Sequence, residues 1–241
     1  MAKKQFVREM FDRISPSYDR LNHLLSLGVD RGWRRRAVRQ VAALGPQTVL
    51  DVACGTADFS LALAQAGVPR VVGIDISEGM LALGRRKVAQ AGLQDRIELR
   101  TDDCEALSLA AGSVDAVTVA FGVRNFEHLA LGLAEMQRVL RPGGQVCVLE
   151  LSVPQNVVLR AVYKLYFLHV LPFVGGLLSG HRAAYRYLPA SVLRFPKPDA
   201  FLAMMREAGF AGTRQQPLTF GLCRIYTGIK PQPTASAGVD L

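Results

Sequence analysis

The chain has 241 residues, is 50% hydrophobic and 20% charged, and carries a net charge of +9. That length suits one large domain with a sizeable core and leaves little room for a second. The four cysteines (Cys54, Cys104, Cys147 and Cys223) form no Cys-x-x-Cys pair and no zinc-type spacing with histidine, so no metal site is expected.

In chain order, Val7, Met10, Phe11 and Ile14 recur at helical spacing, and Ser15-Pro16 is read as the stop of that helix. A second helix is expected from about Asp19 through Leu21, Leu24 and Leu25, and an arginine-rich third over Trp33–Ala43. No strand is expected before residue 47. From there the pattern alternates: strand Thr48–Ala53, helix Asp58–Ala66, strand Arg70–Ile76, helix Glu78–Ala91, strand Arg96–Thr101, strand Val114–Phe121, and a helix reaching Leu140. The tight turn Arg141-Pro142-Gly143-Gly144 leads into a fifth strand, Gln145–Leu151. Such alternation means βαβ units, a mostly parallel sheet and helices on both faces. Val157–Leu178 reads as an apolar, mostly helical insertion, Asp199–Ala208 as a helix, and Arg214–Phe220 with Cys223–Ile229 as a terminal strand pair. Residues 1–230 thus read as a single domain, with 1–46 as an N-terminal helical extension, 154–198 as a helical insertion on the substrate side, and 231–241 as a disordered tail.

The positive charge is not spread evenly. Residues 1–40 hold ten Lys/Arg against four Asp/Glu. Leu151–Pro198 has no acid at all, but has Arg160, Lys164, Arg182, Arg186, Arg194 and Lys197. The N-terminal residues lack the apolar run of a signal peptide, so a cytoplasmic location is expected. The longest charge-free apolar stretch, Leu165–Gly180, is broken by Pro172, Gly175 and Gly176 and is shorter than the ~20 residues that span a bilayer. The basic segments lack a dense aromatic-basic motif, so no nucleic-acid partner is expected.

The chemistry is expected at the carboxyl ends of the strands, where open α/β sheets bind ligands. Gly55, in the first βα turn, permits close backbone approach. Asp75, at the end of the second strand, can accept both hydroxyl protons of a ribose; its other reading is as a cap of the next helix, for which Ser77 is the better candidate. The single glycine is not Gly-x-Gly-x-x-Gly, and the acids Asp51 and Asp58 nearby oppose a pyrophosphate but suit a ligand with a sulfonium and an amino group. Asp51 reads equally as a buried acid that orders the loop. Asp103 and Cys104, with Asp102 before them, end the third strand where an adenine edge could bond. Met80 reads either as a wall against the adenine or as core.

VLDVACGTADFS, GIDISEGML, DDCEAL and VLRPGGQVCVLELS resemble the sequential motifs of class I S-adenosylmethionine (SAM) methyltransferases, which implies a Rossmann-like fold with a mostly parallel seven-stranded sheet. FDRISPSYDRLNHLLSLGVDRGWRR, FGVRNFEHLALGLAEMQRVLRPGG and the later YRYLPASVLRFP resemble the ubiquinone/menaquinone biosynthesis C-methyltransferases, over about Val7 to Lys230. The resemblance implies methyl transfer from SAM to a ring carbon of a polyprenyl quinol. The Gly55-Thr56-Ala57-Asp58 form of the loop is more like the menaquinone branch, favouring demethylmenaquinol over a ubiquinone-pathway benzoquinol. It places Thr56, Asp75, Asp103 and Cys104 on SAM-contact positions, and Arg124 and Asn125 beside the acceptor ring. Guanidinium keeps its proton, so Arg124 is expected to stabilise a phenolate or hold a water rather than act as a bare base; His128, His169 and His181 are the alternative bases. An isoprenoid tail implies peripheral contact with an anionic membrane, at the inner face of the plasma membrane, through Val157–Leu178. A core or homodimer role for that segment is the competing reading. The competing functions are methylation of another hydrophobic small molecule and a non-catalytic lipid- or RNA-binding protein.

Overall fold

The computed structural model describes residues 3–26, 28–170 and 182–233. The expected tail beyond residue 233 and residues 171–178 of the expected apolar insertion lie outside these. Two helices, α1 (Lys3–Leu25) and α2 (Val29–Ala42), precede β1 (Thr48–Val52), α3 (Asp58–Gln65), β2 (Arg70–Asp75), α4 (Glu78–Gln90), β3 (Ile97–Thr101), β4 (Val114–Ala120) and α5 (Leu129–Val139). Then come β5 (Leu140–Leu151), α6 (Val157–Leu165), α7 (Arg182–Arg194), α8 (Pro198–Glu207), β6 (Ala211–Leu218) and β7 (Cys223–Ile229).

The strands form one sheet in the order β3-β2-β1-β4-β5-β7-β6. β1 to β5 are parallel, and β7 runs antiparallel to both its neighbours. The chain lays down β2 and β3 on one side of β1, then crosses to β4 on the other. The reversal opens a crevice at the carboxyl ends of β1 and β4, where sheets of this kind bind ligands.

The parallel strands are valine-rich because both faces are covered. Adjacent residues alternate between two cores: Leu50, Val72, Val117 and Val148 pack with Leu133 and Met136 of α5 and Phe201 and Met205 of α8. Val49, Val71, Ala116 and Cys147 pack with Val38 of α2, Phe59 and Leu63 of α3 and Val88 of α4. A third, smaller core joins Met10 and Ile14 of α1 to Tyr163 of α6, Phe167 and Val192 of α7, and roofs the crevice.

Two expectations change. Ser15-Pro16 does not end a helix: α1 is continuous through Pro16. Proline removes the N–H that would bond the carbonyl four residues back; here the Asp12 carbonyl instead accepts from the Ser15 hydroxyl at 3.0 Å. The Arg141–Gly144 turn lies within β5, which starts at Leu140 opposite Val114 and resumes regular pairing at Gln145 opposite Ala116.

One close approach governs the crevice. Gly122, just after β4, is buried, and a Cβ there would stand 2.6 Å from the Ala53 Cβ and 3.2 Å from a Val119 methyl. A methyl on a backbone cannot rotate away, so the loop after β1 must move. Gly122→Ala is expected to destabilise by about 1–3 kcal/mol, lowering the melting temperature by roughly 2–10 °C in a chain of this size. A thermal melt followed by circular dichroism checks it.

Candidate active site

The loop after β1 has an unusual backbone. Ala53 (φ 51°), Gly55 (φ 57°) and Ala57 (φ 66°) are all left-handed, a region that costs alanine energy and persists only where surroundings impose it. Backbone bonds from Cys54 to Ile74 and from Ala57 to Cys54 shape the loop, and its centre is clamped by Asp75. One of its carboxylate oxygens accepts from the Gly55 N–H at 2.9 Å and the other from the Ser77 N–H at 2.9 Å. Burial pushes this carboxyl above the usual carboxylate range, and those two N–H groups oppose the shift. Ser77, not Asp75, caps α4 by accepting from the Met80 N–H.

One cavity is walled by this loop, and a second abuts it. The smaller, about 70 Å³, is walled by Gly55, Asp75, Met80, Asp103, Cys104 and Asn125. Among the described residues its wall carries five carboxylates (Asp75, Asp102, Asp103, Glu105 and Glu127) and one cation, Lys4. The larger, about 380 Å³, is mainly apolar: Met10, Ile14, Trp33, Phe121 and Phe167 surround it, with Arg124 and Tyr163 among its polar members. Phe11, Tyr18 and Phe121 belong to both walls.

The structure brings most of the expected residues together but not all. Asp51 is fully buried beneath α3, its oxygens accepting from Ser60 and Thr118 hydroxyls at 2.6 and 2.9 Å. Strand alternation puts its side chain on the α3 face of the sheet, away from the crevice. Asp58 is ion-paired with Lys87. Thr56 is buried, its hydroxyl donating to Asp19 at 2.6 Å and accepting from Lys87 at 3.2 Å. None of the three lines either cavity, so the loop acids do not supply the negative surroundings expected of them; the carboxylates of the smaller cavity do. Asp102 is engaged locally, accepting from the Asp103 N–H and from Ser108.

Arg124 follows Phe121, itself left-handed at φ 60° and 5.0 Å beneath the Arg34 guanidinium. The Arg124 guanidinium donates to the Phe121 carbonyl and, at 2.7 Å, to Glu150, whose side chain is fully buried at the end of β5. Glu150 also accepts from the Arg124 and Leu151 backbone N–H groups at 3.2 and 2.8 Å. Breaking a buried pair by removing one partner typically costs about 3–5 kcal/mol, so Glu150 holds Arg124 firmly. The Arg124 Nε, the Asn125 amide oxygen and the Tyr163 and Tyr187 hydroxyls are buried without a hydrogen-bond partner among the described residues. Burial raises both phenols, so they stay protonated. Asn125 lies in a short 3₁₀ turn and does not cap α5, which begins at Leu129 with His128 at the cap position. His128 is exposed and lines neither cavity; His181 and the His169 side chain lie outside the described residues.

Motif reading missed the helix that closes the crevice. From α1, Lys4 reaches Asp103 at 2.6 Å and Glu105 at 3.3 Å. Asp12 accepts from the Ser77 hydroxyl at 2.6 Å and the Gly79 N–H at 3.0 Å, and Asp19 meets Thr56 and Lys87. One helix is thereby bonded to the loops after β1, β2 and β3. The sequence hint was its row of charged residues opposite an apolar stripe, which carries no record of the partner.

A family model described as the ubiE/COQ5 methyltransferase family matches residues 1–230. The chain belongs to that family. It is 49% identical over 229 residues to a demethylmenaquinone methyltransferase of Deinococcus radiodurans, covering 95% of this chain and 94% of that one. It is 48% identical over 230 residues to a ubiquinone/menaquinone biosynthesis C-methyltransferase of Geobacter sulfurreducens, covering 95% and 90%. Among solved structures, the [4+2]-cyclase SpnF superposes with a TM-score of 0.69 at 18% identity, covering 95% of this chain and 97% of that one, a likeness of fold. The chain is a SAM-dependent C-methyltransferase of quinone biosynthesis with a Rossmann-like class I fold. The smaller cavity fits that methyl donor: its carboxylates oppose a pyrophosphate, Met80 offers an apolar wall, and the Asn125 oxygen awaits a donor.

Burial pushes the Asp51 carboxyl up to about 6, against its hydrogen bonds to Ser60 and Thr118. A folded-state value above the unfolded one means the folded protein binds the proton more tightly. This group's contribution is therefore most favourable near pH 4, declines as pH rises to about 6, and is constant above. Asp51→Asn removes that decline. Relative to wild type the variant is expected to gain up to about 3 kcal/mol between pH 4 and pH 7, measured by urea unfolding across that range.

Proposed function

We propose that the chain methylates a ring carbon of a polyprenyl quinol, demethylmenaquinol in the first place, while lying on an anionic membrane surface. The carrying observation is the pair of abutting cavities: an acidic one at the strand ends and a larger apolar one, with Phe121 in both walls and the Arg124–Asn125 turn across their junction. The names of the similar proteins from Deinococcus and Bacteroides, demethylmenaquinone methyltransferases, support this acceptor.

SAM supplies an electrophilic methyl whose sulfur departs as a neutral thioether. In this reading Asp75 holds the ribose hydroxyls with the lone pairs its two backbone bonds leave over. Met80 packs the adenine, Asp103 and Cys104 meet its edge, and Gly55 lets the ligand approach the loop. Asp51 and Thr56 act beneath the loop by fixing its shape. On the acceptor side the quinol hydroxyl gives up its proton to water, and the negative charge gathering on oxygen is met by Arg124, preorganised by Glu150. The ring carbon takes the methyl as the sulfur leaves, then loses its own proton while the oxygen regains one, so that one proton is released in all. The aromatic walls keep water from the methyl, and α1 holds both ligands in register.

The membrane part of the reading rests on α6. Its inner side brings Tyr163 to the larger cavity, while Val158, Val162 and Leu165, spaced four and three residues apart, are 71%, 62% and 63% exposed. Arg160 and Lys164 lie beside them, also exposed. Among the described residues no helix is long and apolar enough to cross a membrane; an apolar stripe with basic flanks suits the interface instead.

Labelled SAM offered with a panel of quinols, with and without reductant, tests the acceptor. Label is expected in demethylmenaquinol only when the ring is reduced, and a preference for a benzoquinol or an unrelated phenol overturns the choice. Asp75→Ala is expected to weaken SAM binding about tenfold or more, since unpaired ribose hydroxyls in a partly buried site cost roughly 1–3 kcal/mol; calorimetry reads it. Arg124→Ala is expected to lower kcat about 100-fold with SAM affinity nearly unchanged, as for loss of one charge-stabilising group. A kcat within a few-fold of wild type would assign the charge to another group.

A further inference from the structure

Between β6 and β7 the chain makes a turn that holds a large aromatic away from the protein. Thr219 (φ 43°), Phe220 (φ 55°) and Gly221 (φ 87°) are left-handed in succession. Glycine takes that conformation freely, but a β-branched threonine and a phenylalanine do not. The turn is pinned from several sides: the Trp33 indole donates to the Thr219 hydroxyl at 2.8 Å, Ser152 donates from its hydroxyl to the Gly221 carbonyl at 2.6 Å, and its backbone N–H donates to the Leu222 carbonyl at 3.0 Å. The result is that Phe220 stands 81% exposed, the most exposed of the large hydrophobic side chains among the described residues.

A solitary exposed apolar residue is ordinary on a protein surface. Three features set this one apart. Its neighbours Thr219 and Leu222 both line the larger cavity, so Phe220 projects from that cavity's rim. The same Ser152 that pins the turn lies five residues before α6, whose outer face is the exposed Val158–Val162–Leu165 stripe. And that helix carries the exposed Arg160 and Lys164, within a sequence stretch (Leu151–Pro198) that has no acid, a charge that matches an anionic lipid surface.

We infer that Phe220 is a membrane-inserting anchor: its ring enters the acyl boundary of an anionic bilayer and, together with the outer face of α6, presses the rim of the acceptor cavity against the lipid. An isoprenoid tail can then stay in the bilayer while its ring enters between Tyr163 and Trp33. The inference rests on the membrane reading given above and adds to it a residue, a point of insertion and an orientation. The backbone strain has a use in this arrangement, because it keeps the ring from folding back onto the protein surface.

The test uses the full chain with vesicles of phosphatidylglycerol and phosphatidylcholine in equal parts. Wild type is expected to sediment with them, less so as salt is added. Phe220→Ser is expected to reduce partitioning about tenfold and to lower turnover of long-tailed demethylmenaquinol in the vesicles to a similar degree. Its kcat on a short-tailed, water-soluble analogue is expected to match wild type. Phe220→Trp is expected to restore partitioning; since Trp33 is the only native tryptophan, the added emission can be isolated, and bromine on the acyl chains should quench it. If wild type binds vesicles and Phe220→Ser binds equally well, or if Trp at 220 escapes acyl-chain quenching, the anchor is refuted while the membrane reading stands. If wild type does not bind vesicles at all, both fall, and the choice of acceptor is judged by turnover of the soluble analogue alone. A concentration-dependent dimer that Phe220→Ser abolishes, without any vesicle effect, would give the patch to a second copy of the chain and overturn the anchor.

Discussion

The Asp75 carboxylate is the fixed point of the crevice. By taking the Gly55 N–H on one oxygen and the Ser77 N–H on the other, it ties the left-handed loop after β1 to the start of α4. Around that tie, backbone bonds from Cys54 to Ile74 and from Ala57 to Cys54 complete a loop with two alanines at positive φ. The loop in turn sets where Ala53 lies, Ala53 leaves room at position 122 for glycine alone, and the chain leaving β4 can then turn and carry Arg124 to Glu150. The walls of the two cavities are thus linked through a few atoms of backbone contact.

Electrostatics divide the two sides. The smaller cavity is rich in carboxylates, several of them engaged: Glu105 accepts from two backbone N–H groups and meets Lys4, and Asp103 accepts from Glu105. The larger cavity is apolar and its charges come paired, Arg124 with Glu150 and Arg34 with Asp30. A negative charge placed there would meet a held guanidinium at a low effective dielectric.

The sheet and the acids at its strand ends were legible in the sequence because they are local. A valine-rich run ending in Asp51–Gly55, a second ending in Asp75 and a third ending in Asp103 each announce a strand and its carboxyl end. What stayed hidden is pairing across distance. Glu150 meets Arg124 from 26 positions away, and Lys4 meets Asp103 from 99; no spacing rule carries either. Pro16 misled because a proline stops a helix only when the carbonyl it orphans finds no other donor, and Ser15 is one. Asp51 was an even choice between ligand and scaffold. Which face of the sheet it occupies follows from strand register, and register was not available from the sequence by itself.

Because α1 runs unbroken through Pro16, it is a single rod shared by both cavities. Its first turn holds Lys4 against Asp103, its middle sets Asp12 on the N-terminus of α4, and Phe11 and Tyr18 stand in the walls of both cavities. A rod so attached cannot uncover one chamber and leave the other shut. The two chambers therefore share one cover, and whatever lifts it exposes both at once.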